Sequence, residues 1–128
     1  MDMQIAGKRV LVTGGSKGIG LACADAFAAE GCDVILASRD AATLATAADQ
    51  LRATRQVRVE TCAADLSLDA ERERLHAAFP DIDILVNNAG AIPSGRLQDI
   101  PMARWKQAWD LKVFGYINLT RAIYAQMK

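Results

Sequence analysis

Short apolar runs alternate along the chain with longer stretches in which apolar residues recur every three or four positions. The short runs are rich in β-branched residues and are bounded by glycine or charged residues, which is typical of buried strands. They predict four strands, at residues 9–13, 33–38, 58–63 and 82–88. Because these runs are almost continuously apolar, we expect strands that are covered on both faces, as in a parallel sheet.

A stretch with helical periodicity follows each of these runs. These stretches predict helices at about residues 18–30, 41–54, 69–79 and from 101 to the chain end. Gly31 marks the end of the first helix and Asp40 the start of the second, since glycine favours a helix C-cap and aspartate an N-cap. The order β-α-β-α-β-α-β-α, with right-handed crossovers, predicts an α/β fold: one domain over residues 1–128 with a doubly wound parallel sheet of four strands and four helices.

The first predicted strand runs into a glycine-rich turn, TGGSKGIG, which opens the first helix. Glycines at 14, 18 and 20 would permit a tight turn, the approach of backbone amides to a phosphate, and close packing of the helix on the sheet. A phosphate in such a turn lies at the positive end of the helix dipole. The turn therefore favours a dinucleotide phosphate site, whereas a Walker-type loop would need a Lys-Ser/Thr pair after the glycines.

Composition excludes several other functions. Fifteen basic residues balance fifteen acidic ones, so no general positive field attracts nucleic acid or an anionic membrane. The apolar runs are too short to span a bilayer and the first residues lack a signal-peptide pattern, so we expect a cytoplasmic protein. Cys23, Cys32 and Cys62 form no C-x-x-C pair and are interpreted as reduced, packed thiols, and His76 is isolated, so we expect no metal site.

Three motifs occur in the order TGGSKGIG, AADL and NNAG, the second at residues 63–66 and the third at 87–90. Together they resemble the short-chain dehydrogenase/reductase family. The resemblance covers the whole chain but only the N-terminal half of the family's Rossmann-type domain, and it implies a nicotinamide cofactor. For the pyrophosphate and adjoining ribose it implies Thr13, Gly14, Ser16, Lys17, Gly18, Ile19 and Gly20. For adenine it implies Asp65 and Leu66, and for the cofactor's ribose side Asn87, Ala89 and Gly90.

The end of the second strand, ILASRD, bears on the choice between NAD and NADP. An NAD site has a carboxylate here to bind the ribose 2′-hydroxyl, but this chain has Ser38 followed by Arg39. Arginine matches phosphate with a planar set of donors, and Lys17 can reach the same pocket. We therefore expect NADP(H) to be preferred. NAD(H) stays possible because Asp40 is the nearest carboxylate, although we interpret Asp40 as a helix cap.

The chain ends in YAQMK, in which Tyr124 and Lys128 have the spacing of the family's catalytic Tyr-x-x-x-Lys. No serine lies about a dozen residues before Tyr124, and the interval from Gly90 is too short for the helix, strand and loop that the family has there. We interpret both residues as ordinary members of the fourth long helix, and we assign no catalytic Ser, Tyr or Lys. The resemblance puts Lys112 at the position of the family's relay asparagine, where it could hold a water in a modified proton relay.

We therefore expect the cofactor-binding part of an NAD(P)-dependent oxidoreductase that moves hydride between NADP(H) and a carbonyl or alcohol. Because the catalytic residues are missing and an apolar strand would be left at the sheet edge, we expect a truncated chain that is inactive by itself. The intact enzyme would have a small-molecule substrate and form a homo-oligomer. The alternatives are a non-catalytic dinucleotide-binding module and an interaction module that docks a partner on the helix bearing Trp105 and Trp109.

Overall fold

The computed structural model describes residues 2–127 and follows the predicted order of elements. The strands are β1 (Arg9–Thr13), β2 (Asp33–Ser38), β3 (Val59–Ala63) and β4 (Ile84–Val86). The helices are α1 (Gly18–Ala29), α2 (Ala41–Thr54), α3 (Asp69–Ala78), α4 (Met102–Trp109) and α5 (Gly115–Gln126). A 3₁₀ turn at Leu97–Asp99 precedes α4, and a π-helical segment at Asp110–Phe114 joins α4 to α5. Over the described residues, none of the helices combines the length and the apolar character needed to cross a bilayer.

The four strands form one parallel sheet in the order β3-β2-β1-β4. Val10 of β1 is in register with Val34 of β2 on one side and with Ile84 of β4 on the other. The chain therefore winds outward from β1 through β2 to β3 and then returns to the opposite side of β1. In sheets of this kind ligands bind outside the carboxyl ends of the strands, at the point where the winding direction reverses. Here that point lies between β1 and β4.

Apolar layers cover both faces of the sheet, because successive strand residues point to opposite sides. Val10 and Val12 of β1 pack on one face against the helices α1 and α2, whereas Leu11 packs on the other face with α3 and α5. The helix residues of the first layer include Ala24, Ala28, Leu44, Ala47, Ala48 and Leu51. Those of the second layer include Leu75, Leu119 and Ile123. The prediction of a doubly wound α/β sheet with four strands is therefore confirmed.

Helix ends in the first half of the chain follow their sequence signals. Gly31 follows the C-cap residue of α1 and adopts φ +85°, the left-handed conformation that glycine tolerates best. The Asp40 carboxylate accepts a hydrogen bond of 2.9 Å from the amide of Ala42 and so caps α2. The interpretation of Asp40 as a helix cap is confirmed.

The fourth strand is shorter than predicted. Residues 82–88 were expected to be extended, but ladder pairing covers only Ile84–Val86. Before the strand, the Asp83 side chain accepts a hydrogen bond from the amide of Arg9. After it, the amide of Asn88 donates to the hydroxyl of Thr13 instead of a strand carbonyl. The segment 87–90 therefore leaves the sheet and lies between the β1–α1 turn and α5.

A π-helical segment interrupts the α-helical hydrogen bonding of the fourth predicted helix. The amide of Gly115 donates to the carbonyl of Asp110, five residues earlier, which is the π-helical pattern. A Cβ at Gly115 would lie 2.9 Å from the carbonyl oxygen of Leu66. Glycine at this position therefore lets the start of α5 approach the segment that follows β3.

Candidate functional site

A cleft of about 320 Å³ opens at the carboxyl ends of the strands. The β1–α1 turn forms its floor, the ends of β2 and β3 form one side, and the segment after β4 forms the other. Of the residues predicted from the sequence, it is lined by Gly14, Ser16, Lys17, Ser38, Arg39, Leu66, Ala89 and Gly90. The other lining residues are Ala37, Asp40, Thr43, Ala64, Asn88 and Leu111.

The glycine-rich turn is compact because two of its glycines leave no room for a side chain. Gly14 has φ +66°, and a Cβ there would lie 2.9 Å from the amide nitrogen Nδ2 of Asn88. A Cβ at Gly20 would overlap the carbonyl oxygen of Gly14 and lie 2.5 Å from the same Asn88 nitrogen. The turn, the start of α1 and Asn88 therefore form one tightly packed unit.

The start of α1 favours an anion. Its first turn contains no acidic residue, and the N-cap residue Lys17 makes no side-chain capping bond. The first amides of a helix lack partners within the helix and carry partial positive charge, so they attract phosphate. Because Gly14, Ser16 and Lys17 also line the cleft, this helix start borders the cleft directly.

The cleft carries the cationic residues expected from the sequence, Lys17 in the turn that forms its floor and Arg39 directly after β2. Arg39 and Lys17 are exposed and form no ion pair with any residue in the range 2–127. The hydroxyl oxygen of Ser38 is buried, and no hydrogen-bond partner for it occurs in that range. A buried polar atom without a partner is costly, and a ligand atom would satisfy it. Asp40 also lines the cleft, with its carboxylate bound to the amide of Ala42.

Thr13 holds the β4 side of the cleft in place. Its side chain is almost fully buried, and its hydroxyl accepts hydrogen bonds from the amides of Asn88 (2.9 Å) and Ala89 (3.0 Å). The same hydroxyl donates to the carbonyl of Val86 at 3.3 Å. In return, the Asn88 side chain donates to the carbonyl of Gly14 at 3.2 Å. Asn88 was not predicted from the sequence, although it is the second asparagine of NNAG.

Helix α5 contacts the same segment from the other side. The Tyr116 hydroxyl donates to the Ala89 carbonyl at 2.6 Å, and burial raises the pKa of this phenol. The Asn87 side chain donates to the Thr120 hydroxyl at 2.9 Å. One turn before Tyr116, the ammonium nitrogen of Lys112 lies 3.9 Å from the position that a Gly90 Cβ would occupy. Sequence reasoning singled out Lys112 but neither Tyr116 nor Thr120.

Some predicted residues do not line the cleft. These are Thr13, Gly18, Ile19, Gly20, Asp65, Asn87 and Lys112. Asp65 forms a local turn, in which one carboxylate oxygen accepts bonds from the amide (3.0 Å) and hydroxyl (2.6 Å) of Ser67. Ile19 is 76% exposed at the start of α1, on the protein surface.

The described part of the chain contains no cluster of three or more His, Cys, Asp or Glu side chains that could hold a metal ion. The cysteines at 23, 32 and 62 are free thiols, of which Cys32 and Cys62 are buried. Burial raises the pKa of both buried thiols. They therefore pack as small apolar side chains, as the sequence indicated.

Comparison with known proteins identifies the family. The family model for short chain dehydrogenases matches residues 8–128. The chain belongs to the short-chain dehydrogenase/reductase family. The resemblance drawn from TGGSKGIG, AADL and NNAG is thereby confirmed.

Individual relatives agree with this assignment. An uncharacterized oxidoreductase of Bacillus subtilis, YvaG, is 34% identical over 94% of this chain and 46% of its own length. L-sorbose reductase of Gluconobacter frateurii, in a crystal structure with NADPH and L-sorbose, is 37% identical, with a TM-score of 0.88 over 99% of this chain and 50% of that one. A short-chain dehydrogenase of Sphingobium yanoikuyae in complex with NADPH is 32% identical, with a TM-score of 0.86 over 93% and 48%. The chain thus spans about half the length of these relatives.

Proposed function

We propose that this chain binds NADP(H) in the cleft and is the cofactor-binding part of an oxidoreductase that transfers hydride between NADP(H) and a carbonyl or alcohol. The observation that carries the proposal is the combination of three groups that line the cleft at its floor and at the end of β2. Lys17 and Arg39 form no ion pair with any residue in the range 2–127, and they line the same cleft as the buried Ser38 hydroxyl, which has no hydrogen-bond partner in that range. A 2′-phosphate would satisfy all three groups at once, because it brings negative charge and several acceptor oxygens.

The rest of the dinucleotide would follow the order of the strands. The pyrophosphate would bind at the β1–α1 turn, against Gly14, Ser16 and the first amides of α1 at Gly18, Ile19 and Gly20. Adenine would lie near the β3 end, beside Leu66, and its amino group would donate to the Asp65 carboxylate oxygen that Ser67 does not bind. The second ribose would lie on the β4 side, against Ala89 and Gly90 with Asn87 behind them. The bound cofactor would supply or accept the hydride.

The relatives support NADP over NAD, because the L-sorbose reductase and the Sphingobium dehydrogenase are described in complex with NADPH. The charges of the residues that line the cleft also favour NADP over NAD. Among the residues of the range 2–127 that line the cleft, Asp40 is the one acidic residue, and its carboxylate caps α2 through the amide of Ala42. We therefore propose NADP(H) as the preferred cofactor, with NAD(H) as a weaker ligand of the same site.

Titration of the chain with NADPH and NADH, followed by nicotinamide fluorescence, tests the proposed function. We expect saturable binding of both, with NADPH bound about tenfold or more tightly, because a charge-assisted hydrogen bond contributes about 1.5–3 kcal/mol. NADH is the matched control, since it differs only in the 2′-phosphate. Raising the salt concentration should weaken NADPH binding more than NADH binding. A chain that binds neither would contradict the proposal, and equal affinities would contradict the NADP preference.

In the whole protein we propose that Lys112 holds a water in the proton relay, at the position of the family's asparagine. Its ammonium nitrogen lies 3.9 Å from the position that a Gly90 Cβ would occupy, and Gly90 lines the β4 side of the cleft, which supports the proposal. Replacing Lys112 by alanine in the whole enzyme should lower kcat by about tenfold or more, since positioned proton transfer contributes substantially to turnover. Affinity for NADPH should change little. Unchanged turnover would remove Lys112 from the relay, and Lys106→Ala on α4 is the control for loss of a helical lysine.

We further propose that the whole protein acts on a small-molecule substrate, assembles as a homo-oligomer and is cytoplasmic. Three free thiols support a reducing compartment. Trp109 at the end of α4, Phe114 in the π-helical segment and Ile117 on α5 are each about half exposed, which supports assembly through this part of the chain.

A further inference from the structure

The segment 87–90 lines the cleft although it lies outside the regular secondary structure. Pairing of β4 with β1 ends at Val86, so no ladder hydrogen bond fixes the segment beyond that residue. Asn88, Ala89 and Gly90 nevertheless form one wall of the cleft. The shape of this wall therefore depends on bonds that side chains make to it.

Those bonds come from two directions. From the sheet side, the Thr13 hydroxyl binds the amides of Asn88 and Ala89. From the helix side, Tyr116 binds the Ala89 carbonyl and Thr120 binds the Asn87 side chain. Tyr116 and Thr120 are four residues apart in α5, so they lie on one face of the helix, one turn apart. Ala89 is thus held at its backbone amide by Thr13 and at its backbone carbonyl by Tyr116.

We propose that Tyr116, supported by Thr120, is a positioning residue of the cofactor site: by binding the Ala89 carbonyl, it fixes the wall that the second half of the dinucleotide contacts. The inference rests on the proposed function. Tyr116 acts through the backbone of Ala89, because its hydroxyl donates a hydrogen bond of 2.6 Å to the Ala89 carbonyl. The phenol stays neutral and donating across the physiological pH range, since burial raises its pKa.

The location of the wall predicts for which part of the dinucleotide the binding affinity depends on Tyr116. Ser38 and Arg39 lie at the end of β2, and Ala89 and Gly90 follow β4, on the opposite side of β1. Neighbouring strands are about 4.8 Å apart, so the two sides of the cleft are about 10 Å apart. Tyr116 should therefore affect binding of the nicotinamide half and leave recognition of the 2′-phosphate unchanged.

The test replaces Tyr116 by phenylalanine, which keeps the ring and removes only the hydroxyl. Affinities are measured for NADPH, NADH and adenosine 2′,5′-bisphosphate, which lacks the nicotinamide half. We expect NADPH and NADH to bind about three- to tenfold more weakly, by the same factor, because one hydrogen bond that orders the wall is lost. The bisphosphate should bind as it does to the unsubstituted chain. Amide hydrogen exchange at Asn88 and Ala89, measured without ligand, should become faster.

Two further variants complete the design. Thr120→Val removes the bond to Asn87 and should give the same pattern with a smaller loss. Tyr124→Phe removes a hydroxyl from the same helix at a residue that does not line the cleft, and it should leave all three affinities unchanged. If Tyr116→Phe binds NADPH as tightly as the unsubstituted chain does, the inference is wrong and the proposed function stands. The same conclusion follows if the bisphosphate loses affinity by the same factor as NADPH. If the unsubstituted chain binds neither dinucleotide, the proposed function fails first and the inference with it.

Discussion

Replacing Arg39 by aspartate is expected to weaken NADPH binding by about 100-fold and to strengthen NADH binding, so that the preferred cofactor reverses. The variant removes a planar cation that matches phosphate and adds a carboxylate that repels it. The same carboxylate can accept hydrogen bonds from the two hydroxyls of an unphosphorylated ribose. Fluorescence titration with each cofactor, at one fixed ionic strength, gives the two dissociation constants and their ratio.

Two controls separate the causes of this reversal. Arg39→Ala removes the attraction without adding repulsion, so it should weaken NADPH binding by a smaller factor and leave NADH binding nearly unchanged. Arg104→Asp makes the same change of net charge on the exposed surface of α4, outside the lining of the cleft, and should alter neither affinity. If Arg39→Asp keeps its preference for NADPH, Arg39 does not recognise the 2′-phosphate.

Replacing Gly20 by alanine is expected to destabilise the fold by about 3 kcal/mol and to abolish measurable NADPH binding. Alanine normally favours a helix over glycine by about 1 kcal/mol, so helix propensity alone predicts the opposite sign. The loss arises because the new methyl group would overlap the carbonyl oxygen of Gly14, a backbone atom that cannot move without opening the turn. Urea unfolding followed by circular dichroism measures the stability, and titration measures the binding.

Gly90→Ala is the matched control for stability. A Cβ at Gly90 would meet its nearest neighbours only at 3.9 Å, which is ordinary van der Waals contact. Its free energy of unfolding should therefore stay within about 0.5 kcal/mol of that of the unsubstituted chain. Equal stability of the Gly20→Ala and Gly90→Ala chains would show that the glycine-rich turn tolerates a side chain, contrary to the packing described.

The first half of the fold could be predicted almost residue for residue. The bounds of β1, β2 and α2 agree with the structure, because charged residues, Gly31 and Asp40 mark where each element begins or ends. The end of β4 could not be predicted in this way. The motif NNAG follows the apolar run directly, with no charged residue or proline to mark the end of the strand. Only the bonds from Thr13 show where the strand pairing stops.

The cleft was predictable where its residues belong to a local motif and not where they come from a distant helix. Gly14 and Lys17 lie in the turn after β1, and Ser38 and Arg39 lie at the end of β2. Parallel strands bring these carboxyl ends together. Tyr116 contacts Ala89 across 27 residues of sequence, and this contact depends on how α5 is rotated about its axis. A periodic pattern predicts which face of a helix is apolar, but not which polar side chain of that helix reaches a given carbonyl.

The rotation of α5 is set by the π-helical turn that precedes it. A hydrogen bond from Gly115 to Asp110 spans one residue more than an α-helical bond does. Each residue turns a helix by about 100°, so this extra residue rotates everything after it by that angle relative to α4. The direction in which the Tyr116 and Thr120 side chains point therefore depends on how many residues precede them, as well as on which residues they are. Loss of a single codon between 110 and 114 would leave both side chains in the protein and turn them away from the wall that they hold.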